Sequence, residues 1–245
     1  MLASNFVGEF AGTCTLTLFG CGVVAAVILK QSKAYQAGWM VIAAGWGFAV
    51  MLAIFVAEAA GAPSADINPA VTLARYFLQP GIYTVTQVAE YSVAEILGGC
   101  LGAIIVWLAF LSHWKVTDDK LSKLAVFATI PAIRSYPANL LTEIIGTMAL
   151  IVCLGALTGW AHPHTISVGI GPYLVGVLVW AIGLSLGGPT GYAINPARDL
   201  GPRIAHAILP IAGKGGSDWA YAWVPIAGPI IGSLIGIMLC KAIFY

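Results

Sequence analysis

The chain has 245 residues, of which 60% are hydrophobic and only 9% are charged, and its formal net charge is +1. A soluble domain carries about 25% charged residues, so this composition excludes an ordinary water-soluble domain. The near-zero net charge also gives no indication of a nucleic-acid partner. The sequence therefore predicts an all-α membrane protein whose main partner is the lipid bilayer.

Apolar runs of about 20 residues, the length that crosses a bilayer, occur six times. They extend over about 4–29, 37–60, 82–111, 136–158, 166–187 and 219–243. The first run is not typical of a cleaved signal peptide, because it is too long, lacks a basic leader and contains Glu9. The cysteines lie within apolar runs without C-x-x-C spacing, which is typical of small hydrophobic residues and predicts no metal site.

The tripeptide Asn-Pro-Ala occurs twice between these runs, as Asn68-Pro69-Ala70 and as Asn195-Pro196-Ala197. Asn is a strong N-cap, and Pro is best tolerated at the first helical position. Each motif therefore predicts the start of a short helix, over about 68–78 and about 195–206, too short to cross a ~30 Å hydrocarbon core. We expect two half-helices that enter from opposite faces and meet near the bilayer centre.

The two motifs belong to a longer internal repeat. Glu9 to Thr13 recurs as Glu143 to Thr147, and Tyr91 with two following glycines recurs as Tyr221 with two glycines at the same spacing. We predict one channel domain over 1–245 that consists of a first repeat (1–111), a linker (112–135) and a second repeat (136–245). Each repeat has three spans, so the second must be inverted relative to the first.

The predicted half-helices favour a pore. Both N-termini carry partial positive charge, and the amides of Asn68 and Asn195 can donate hydrogen bonds to a permeating oxygen. Unwound residues before each motif would expose carbonyl oxygens as acceptors. Cations would meet a positive barrier and find no replacement for their hydration shell.

These features resemble the major intrinsic protein family, which comprises the aquaporins and glycerol facilitators. The resemblance covers the six runs, the repeat, both Asn-Pro-Ala motifs, Glu9 and Glu143. It implies six transmembrane helices plus two re-entrant half-helices, no cofactor, and a homotetramer with one pore per subunit. It also implies a cell-membrane protein with both termini cytoplasmic, although the distribution of Lys and Arg disagrees with the positive-inside rule.

The resemblance implies a second, narrower filter beside the pore centre. Three of its positions correspond to Gly183, Tyr192 and Arg198, and the helix-2 position corresponds to Trp46, with Phe48 as the alternative when no gap is allowed before the first motif. An aromatic pair beside a glycine predicts a wide opening with one apolar and one polar wall. This ring resembles that of the glycerol-facilitator branch more than that of strict water channels.

Other polar residues in the spans need a partner or a function. The resemblance implies that Glu9 and Glu143 support the re-entrant loops by accepting backbone N–H bonds. Glu58, Asp66 and Glu95 are interpreted as the lining of a hydrated vestibule, with a pH- or cation-sensitive mouth as the alternative.

Enzyme function is not favoured. Gly183-Leu-Ser-Leu-Gly187 satisfies G-x-S-x-G, but that motif requires a strand–turn–helix context. His162 and His164 lack further metal-ligating neighbours and do not predict a metal site.

The sequence thus predicts a passive channel for water and small uncharged polyols such as glycerol, which excludes ions and protons. A strict water channel is the alternative if Tyr192 or Phe48 closes the filter. A second alternative is a secondary transporter that uses Glu58, Asp66 or Glu95 as a proton site.

Overall fold

The computed structural model describes residues 4–160 and 169–245, and within these ranges it contains helices and no strand. The helices are α1 (Asn5–Ile28), α2 (Trp39–Ala59), α3 (Pro69–Leu78), α4 (Val85–Ala109), α5 (Leu111–Val116), α6 (Lys120–Phe127), α7 (Tyr136–Thr158), α8 (Ile170–Leu186), α9 (Pro196–Ile208) and α10 (Val224–Phe244). The prediction of an all-α membrane protein is confirmed, because α1, α2, α4, α7 and α10 are long and apolar enough to span a bilayer.

The fifth predicted span corresponds to α8, an apolar helix of 17 residues that begins at Ile170. The start of that predicted run (166–168), together with His162 and His164, lies outside the described residues. Ser185 of the G-x-S-x-G sequence lies inside α8, which is not the strand-to-helix turn that a catalytic serine of that motif requires.

Glycines allow the long helices of each repeat to approach closely. A Cβ built on Gly98 of α4 would lie 2.2 Å from the carbonyl oxygen of Phe10 on α1. A Cβ built on Gly232 of α10 would lie 2.4 Å from the carbonyl oxygen of Ile144 on α7. Small residues are typical of helix crossings in lipid, where close backbone contact replaces the hydrophobic drive. The α1–α4 and α7–α10 crossings thus both use a glycine of the later helix against a carbonyl oxygen of the earlier one.

The two repeats also contact each other through glycines on α2 and α8. A Cβ on Gly47 would lie 2.7 Å from the carbonyl oxygen of Gly176, and a Cβ on Gly176 would lie 2.6 Å from that of Gly47. This crossing joins the second helix of one repeat to its counterpart in the other. The half-helices α3 and α9 lie between the two sets of long helices, α3 against α4 and α10, and α9 against α4.

The segment predicted as a linker contains the short helices α5 and α6. Asp119 caps α6 by accepting hydrogen bonds from the N–H groups of Leu121 and Ser122. The segment is largely buried at the end of α6, where Phe127 is fully inaccessible. It therefore packs onto the bundle and, as described below, contacts α9.

Candidate functional site

The helices α3 and α9 begin at the two Asn-Pro-Ala motifs. The Asn68 side chain accepts a hydrogen bond from the Ala70 N–H at 2.9 Å, and Asn195 accepts one from the Ala197 N–H at 2.9 Å. Each Asn is the N-cap of its helix, with Pro in the first turn. Local sequence accounts for both starts, because Pro lacks the N–H that the first turn leaves unpaired.

The two Asn side chains also bind the opposite loop. Nδ2 of Asn68 donates to the carbonyl oxygen of Ile194 at 2.9 Å, and Nδ2 of Asn195 donates to that of Ile67 at 2.8 Å. An amide nitrogen carries two hydrogens, so each Asn keeps one N–H after this bond. Both residues line one cavity. The remaining N–H groups can therefore donate to a solute at the point where the half-helices meet.

The backbone before each motif adopts conformations that L-residues rarely take. The φ angles are +45° at Ala65 and +47° at Ile67, and +39° at Tyr192 and +42° at Ile194. Positive φ is costly for any residue with a side chain, and most of all for β-branched Ile. All four residues line the cavity. The strain therefore occurs at matching positions of the two repeats, where the chain contacts the lumen.

Two buried carboxylates hold these strained segments. Glu9 accepts hydrogen bonds from the N–H groups of Asp66 at 2.9 Å and Ile67 at 2.6 Å. Glu143 accepts from the N–H groups of the two residues before Asn195, at 3.0 Å and 2.9 Å. Each carboxylate thus satisfies two N–H groups that no helix could pair.

Glu95 is a third buried carboxylate, and its position differs from the vestibule expected for it. Its Oε1 accepts from the Asn68 N–H at 3.0 Å and from the Thr72 hydroxyl at 2.9 Å. Its Oε2 has no hydrogen-bond partner among the described residues. Glu95 is fully inaccessible and does not line the cavity, because α4 packs directly against the start of α3.

The cavity has a volume of about 370 Å³ and passes both motifs. Much of its apolar lining comes from the long helices, and most of its polar lining comes from the half-helices and the strained loops. The polar lining residues are Glu58, Ser64, Asp66, Asn68, Arg75, Gln79, Thr158, Asn195 and Arg198. Glu58 and Asp66 are thus placed where a vestibule was expected. A lumen with apolar walls and a few oriented donors suits a small solute with both carbon and hydroxyl groups.

Trp46 and Arg198 lie together at one part of this cavity. Cζ of Arg198 is 3.9 Å from the centroid of the Trp46 ring, well within the range of a cation–π interaction. One guanidinium nitrogen of Arg198 also lies 3.4 Å from the carbonyl oxygen of Phe127. No carboxylate among the described residues forms an ion pair with Arg198. The site therefore presents a fixed, unneutralised cation beside an aromatic wall.

Tyr192 occupies the space that Gly183 leaves open. A Cβ built on Gly183 would lie 2.7 Å from Cζ and 2.8 Å from the hydroxyl oxygen of Tyr192. Trp39 packs edge-on against the Tyr192 ring at 5.8 Å and donates its indole N–H to the Gly183 carbonyl at 2.9 Å. Tyr192 lines the cavity, whereas Gly183 does not. The glycine thus acts on the lumen indirectly, by letting the tyrosine ring lie back against α8.

Phe48 does not reach the cavity. About half of its surface is exposed, on the outside of the bundle, and its ring centroid lies 6.1 Å from that of Trp180. The alternative of Phe48 as the helix-2 filter residue is therefore wrong. Residues two apart on a helix point in very different directions, so Trp46 faces the cavity whereas Phe48 faces away from it.

A polar network behind Arg198 was missed by the sequence reasoning. Asp199 forms a fully buried ion pair with Arg203 at 2.7 Å, and it accepts from the N–H and the hydroxyl of Thr129 at 2.7 Å and 2.6 Å. Thr129 follows α6, so this network ties the linker to α9. The spacing of four residues between Asp199 and Arg203 is typical of an ion pair on one face of a helix. Nothing in the sequence indicated that Thr129 of the linker would bind Asp199.

The sequence model of the major intrinsic protein family matches residues 2–240. The chain is 54% identical over 242 residues to a probable glycerol uptake facilitator protein of Thermotoga maritima, with 98% of this chain and 100% of the relative covered. It is 51% identical over 238 residues to glycerol uptake facilitator protein 3 of Lactiplantibacillus plantarum, with 97% and 96% covered.

Among solved structures, the fold is similar to the X-ray structure of the aquaglyceroporin from Plasmodium falciparum. The TM-score is 0.80 at 25% sequence identity, and the match covers 98% of this chain and 95% of that one. The match extends over nearly the whole chain and is not confined to the long helices.

Proposed function

Because this chain belongs to the major intrinsic protein family, we propose that it is a passive channel for water and small uncharged polyols, glycerol first, and that it excludes ions and protons. The observation that carries the proposal is the contact of Arg198 with the face of Trp46, beside Tyr192, in a cavity that also contains both Asn-Pro-Ala motifs. The names of the relatives above, glycerol uptake facilitators, support the same solute.

The proposed filter matches the chemistry of glycerol. The carbon backbone of the polyol would lie on the rings of Trp46 and Tyr192, and its hydroxyl groups would accept hydrogen bonds from Arg198. The Arg198 cation has no carboxylate partner among the described residues, so it would repel cations at the same place.

Proton exclusion is proposed for the pore centre. Asn68 and Asn195 each keep one N–H for the lumen, and both half-helices direct their positive ends there. A water molecule that accepts from both amides must point its own hydrogens away from the centre. A chain of waters would then have opposite orientations in the two halves, which interrupts proton transfer.

A strict water channel is the alternative. The packing of Tyr192 into the space beside Gly183 favours the polyol channel, because the ring then forms part of the wall and does not cross the lumen. Further parts of the proposal rest on the family: a single channel domain made of two inverted repeats, a homotetramer, cytoplasmic termini in the cell membrane, and no enzymatic activity.

The experiment is stopped-flow light scattering on proteoliposomes that contain the purified protein. An impermeant osmolyte gradient measures water efflux, and an inward glycerol gradient measures shrinkage followed by reswelling. Fast reswelling supports the polyol channel, and fast shrinkage without it supports the water channel. Uptake that saturates and depends on a proton gradient would contradict both and favour a secondary transporter. Liposomes without protein provide the baseline.

A further inference from the structure

The cavity extends beyond the first motif to a group of polar residues on and around α3. Asn68, Val71 and Arg75 all line it, at positions i, i+3 and i+7 of the helix and its N-cap. Residues at this spacing lie on one helical face. At 1.5 Å per residue, Arg75 is about 10 Å from Asn68 along the helix axis. Arg75 therefore contacts the lumen well away from the Trp46/Arg198 filter.

Arg75 is held in place through all three guanidinium nitrogens. Nε donates to Oδ1 of Asp66 at 2.6 Å, Nη1 to Oε1 of Gln79 at 3.1 Å, and Nη2 to the carbonyl oxygen of Ser64 at 3.1 Å. The ring of Trp160 lies 5.2 Å from Cζ. Only 13% of the Arg75 side chain is exposed, so it cannot extend away to bulk water as a long basic side chain at a membrane surface would.

Asp66 neutralises Arg75 from a fully buried position. Its second oxygen accepts a hydrogen bond from the Tyr83 hydroxyl at 2.9 Å. A buried ion pair is tolerated only when its geometry is good and its remaining groups are bonded, which is the case here. The pair differs in charge from the Arg198 site, where no carboxylate partner is present among the described residues.

Arg75 and its partners Ser64 and Gln79 present donors and acceptors side by side. A guanidinium has five N–H groups, and the bonds described above use three of them. The remaining two lie next to oxygen atoms of Ser64 and Gln79, which are partly exposed and line the cavity, whereas the carboxylate of Asp66 is fully buried. A vicinal diol offers a hydroxyl donor and a hydroxyl acceptor on adjacent carbons, so it can bond to both kinds of group at once.

We propose that Arg75, with Ser64 and Gln79, forms a second solute-contacting subsite that selects vicinal diols, and that the buried Asp66 positions and neutralises Arg75. This inference rests on the proposed polyol channel and adds a specificity determinant to it. Because the subsite is electrically neutral overall, it distinguishes solutes by the arrangement of their hydroxyl groups, whereas the Arg198 filter also rejects cations. Water bonds through a single oxygen atom and cannot place two hydroxyl groups on separate partners, and a 1,3-diol holds its hydroxyl groups farther apart.

The test compares the wild-type protein with the double variant D66N/R75M in proteoliposomes. Met keeps the unbranched apolar stem of the side chain but removes every donor, and Asn can still accept from Tyr83 without leaving an unpaired buried charge. The permeabilities of water, glycerol, 1,2-propanediol and 1,3-propanediol are measured by light scattering. We expect the permeability ratio of 1,2- to 1,3-propanediol to fall about threefold or more, as expected for one lost hydrogen bond, with glycerol reduced alongside it. Water permeability should stay within about twofold.

The matched control is R134M/D218N, which removes an Arg–Asp pair of the same chemistry from the surface, outside the cavity. It should leave the diol ratio unchanged. An unchanged ratio in D66N/R75M, in a protein that conducts glycerol, would overturn the subsite and leave the proposed channel intact. A wild-type protein that conducts no glycerol would overturn the proposed function itself.

A second variant covers the case in which D66N/R75M does not assemble. R75K keeps the positive charge opposite Asp66 but loses the planar fork of donors. We expect it to conduct water normally and to lower the diol ratio. A lysine variant with the wild-type ratio would show that Arg75 serves only to neutralise Asp66, and it would overturn the subsite.

Discussion

The guanidinium of Arg198 lies over the indole of Trp46, with 3.9 Å between Cζ and the ring centroid. The two residues come from different repeats, Trp46 from α2 and Arg198 from the start of α9. Their contact combines the apolar and cationic sides of the candidate filter in one fixed unit. Trp46 and Arg198 are nearly inaccessible, with 3% and 7% of their surface exposed. Only a small part of each side chain is therefore exposed to the lumen.

Replacing Arg198 with Ala should weaken cation exclusion and leave water flow largely intact. A unit charge about 4 Å away is worth on the order of 4 kcal/mol at an effective dielectric of ~20, so we expect cation leak to rise at least about tenfold. The measurement is the decay of a potassium gradient in proteoliposomes, with water permeability recorded on the same samples. R134A, on the exposed surface, is the control. An unchanged leak in R198A would contradict the filter assignment.

Replacing Gly183 with Ala should narrow the pore for glycerol more than for water. The new Cβ would lie 2.7 Å from Cζ of Tyr192, so the ring must move, and the cavity is the open space beside it. We expect the displaced ring to raise the barrier to glycerol by about 1.4 kcal/mol, which lowers glycerol permeability about tenfold.

The matched control for this change is G188A, since a Cβ on Gly188 would meet no atom within 4 Å. It should conduct glycerol at the wild-type rate. The double variant G183A/Y192A should recover glycerol flow if the displaced tyrosine ring is the obstruction. Normal glycerol permeability in G183A alone would mean that the ring moves elsewhere and that Gly183 does not set the pore width.

Replacing Glu143 with Gln should destabilise the protein. Glu143 accepts hydrogen bonds from two backbone N–H groups before Asn195, and Gln has only one acceptor oxygen. Leaving one buried N–H unpaired should cost about 1–3 kcal/mol. Thermal unfolding in detergent, followed by tryptophan fluorescence, measures the change. E90Q, an exposed carboxylate on α4, should unfold at the wild-type temperature, and equal midpoints for E143Q and E90Q would count against the loop-holding contact.

Replacing Gly98 with Ala should disturb the α1–α4 crossing. The added Cβ would lie 2.2 Å from the Phe10 carbonyl oxygen, so the helices must separate, at a cost of about 1–3 kcal/mol. G22A on α1 is the control, because its Cβ would meet nothing closer than Val106 at 3.9 Å. Alanine favours a helix over glycine, so G22A should be neutral or slightly stabilising. Equal stability of the two variants would contradict the role of Gly98 in packing.

Several features could be predicted from the sequence because their causes are local. Membrane character follows from composition, and the starts of α3 and α9 follow from the capping chemistry of Asn68 and Asn195 with the proline after each. The internal repeat predicted that the starts of these two helices lie opposite each other. The preference for Trp46 over Phe48 came from the family resemblance, and no hydrophobic pattern could have supplied it, because both residues are aromatic and apolar.

Other features were decided only by the tertiary structure, because they depend on atoms far apart in the chain. The linker places Thr129 within hydrogen-bonding distance of Asp199. The absence of a side chain at Gly183 leaves the space that Tyr192 fills. Asp66 and Arg75 are close in sequence, yet their role depends on the cavity beside them, which is built by helices of both repeats. Short-range propensity determines where a helix begins, whereas close packing and buried hydrogen bonding determine which side chains share a lumen.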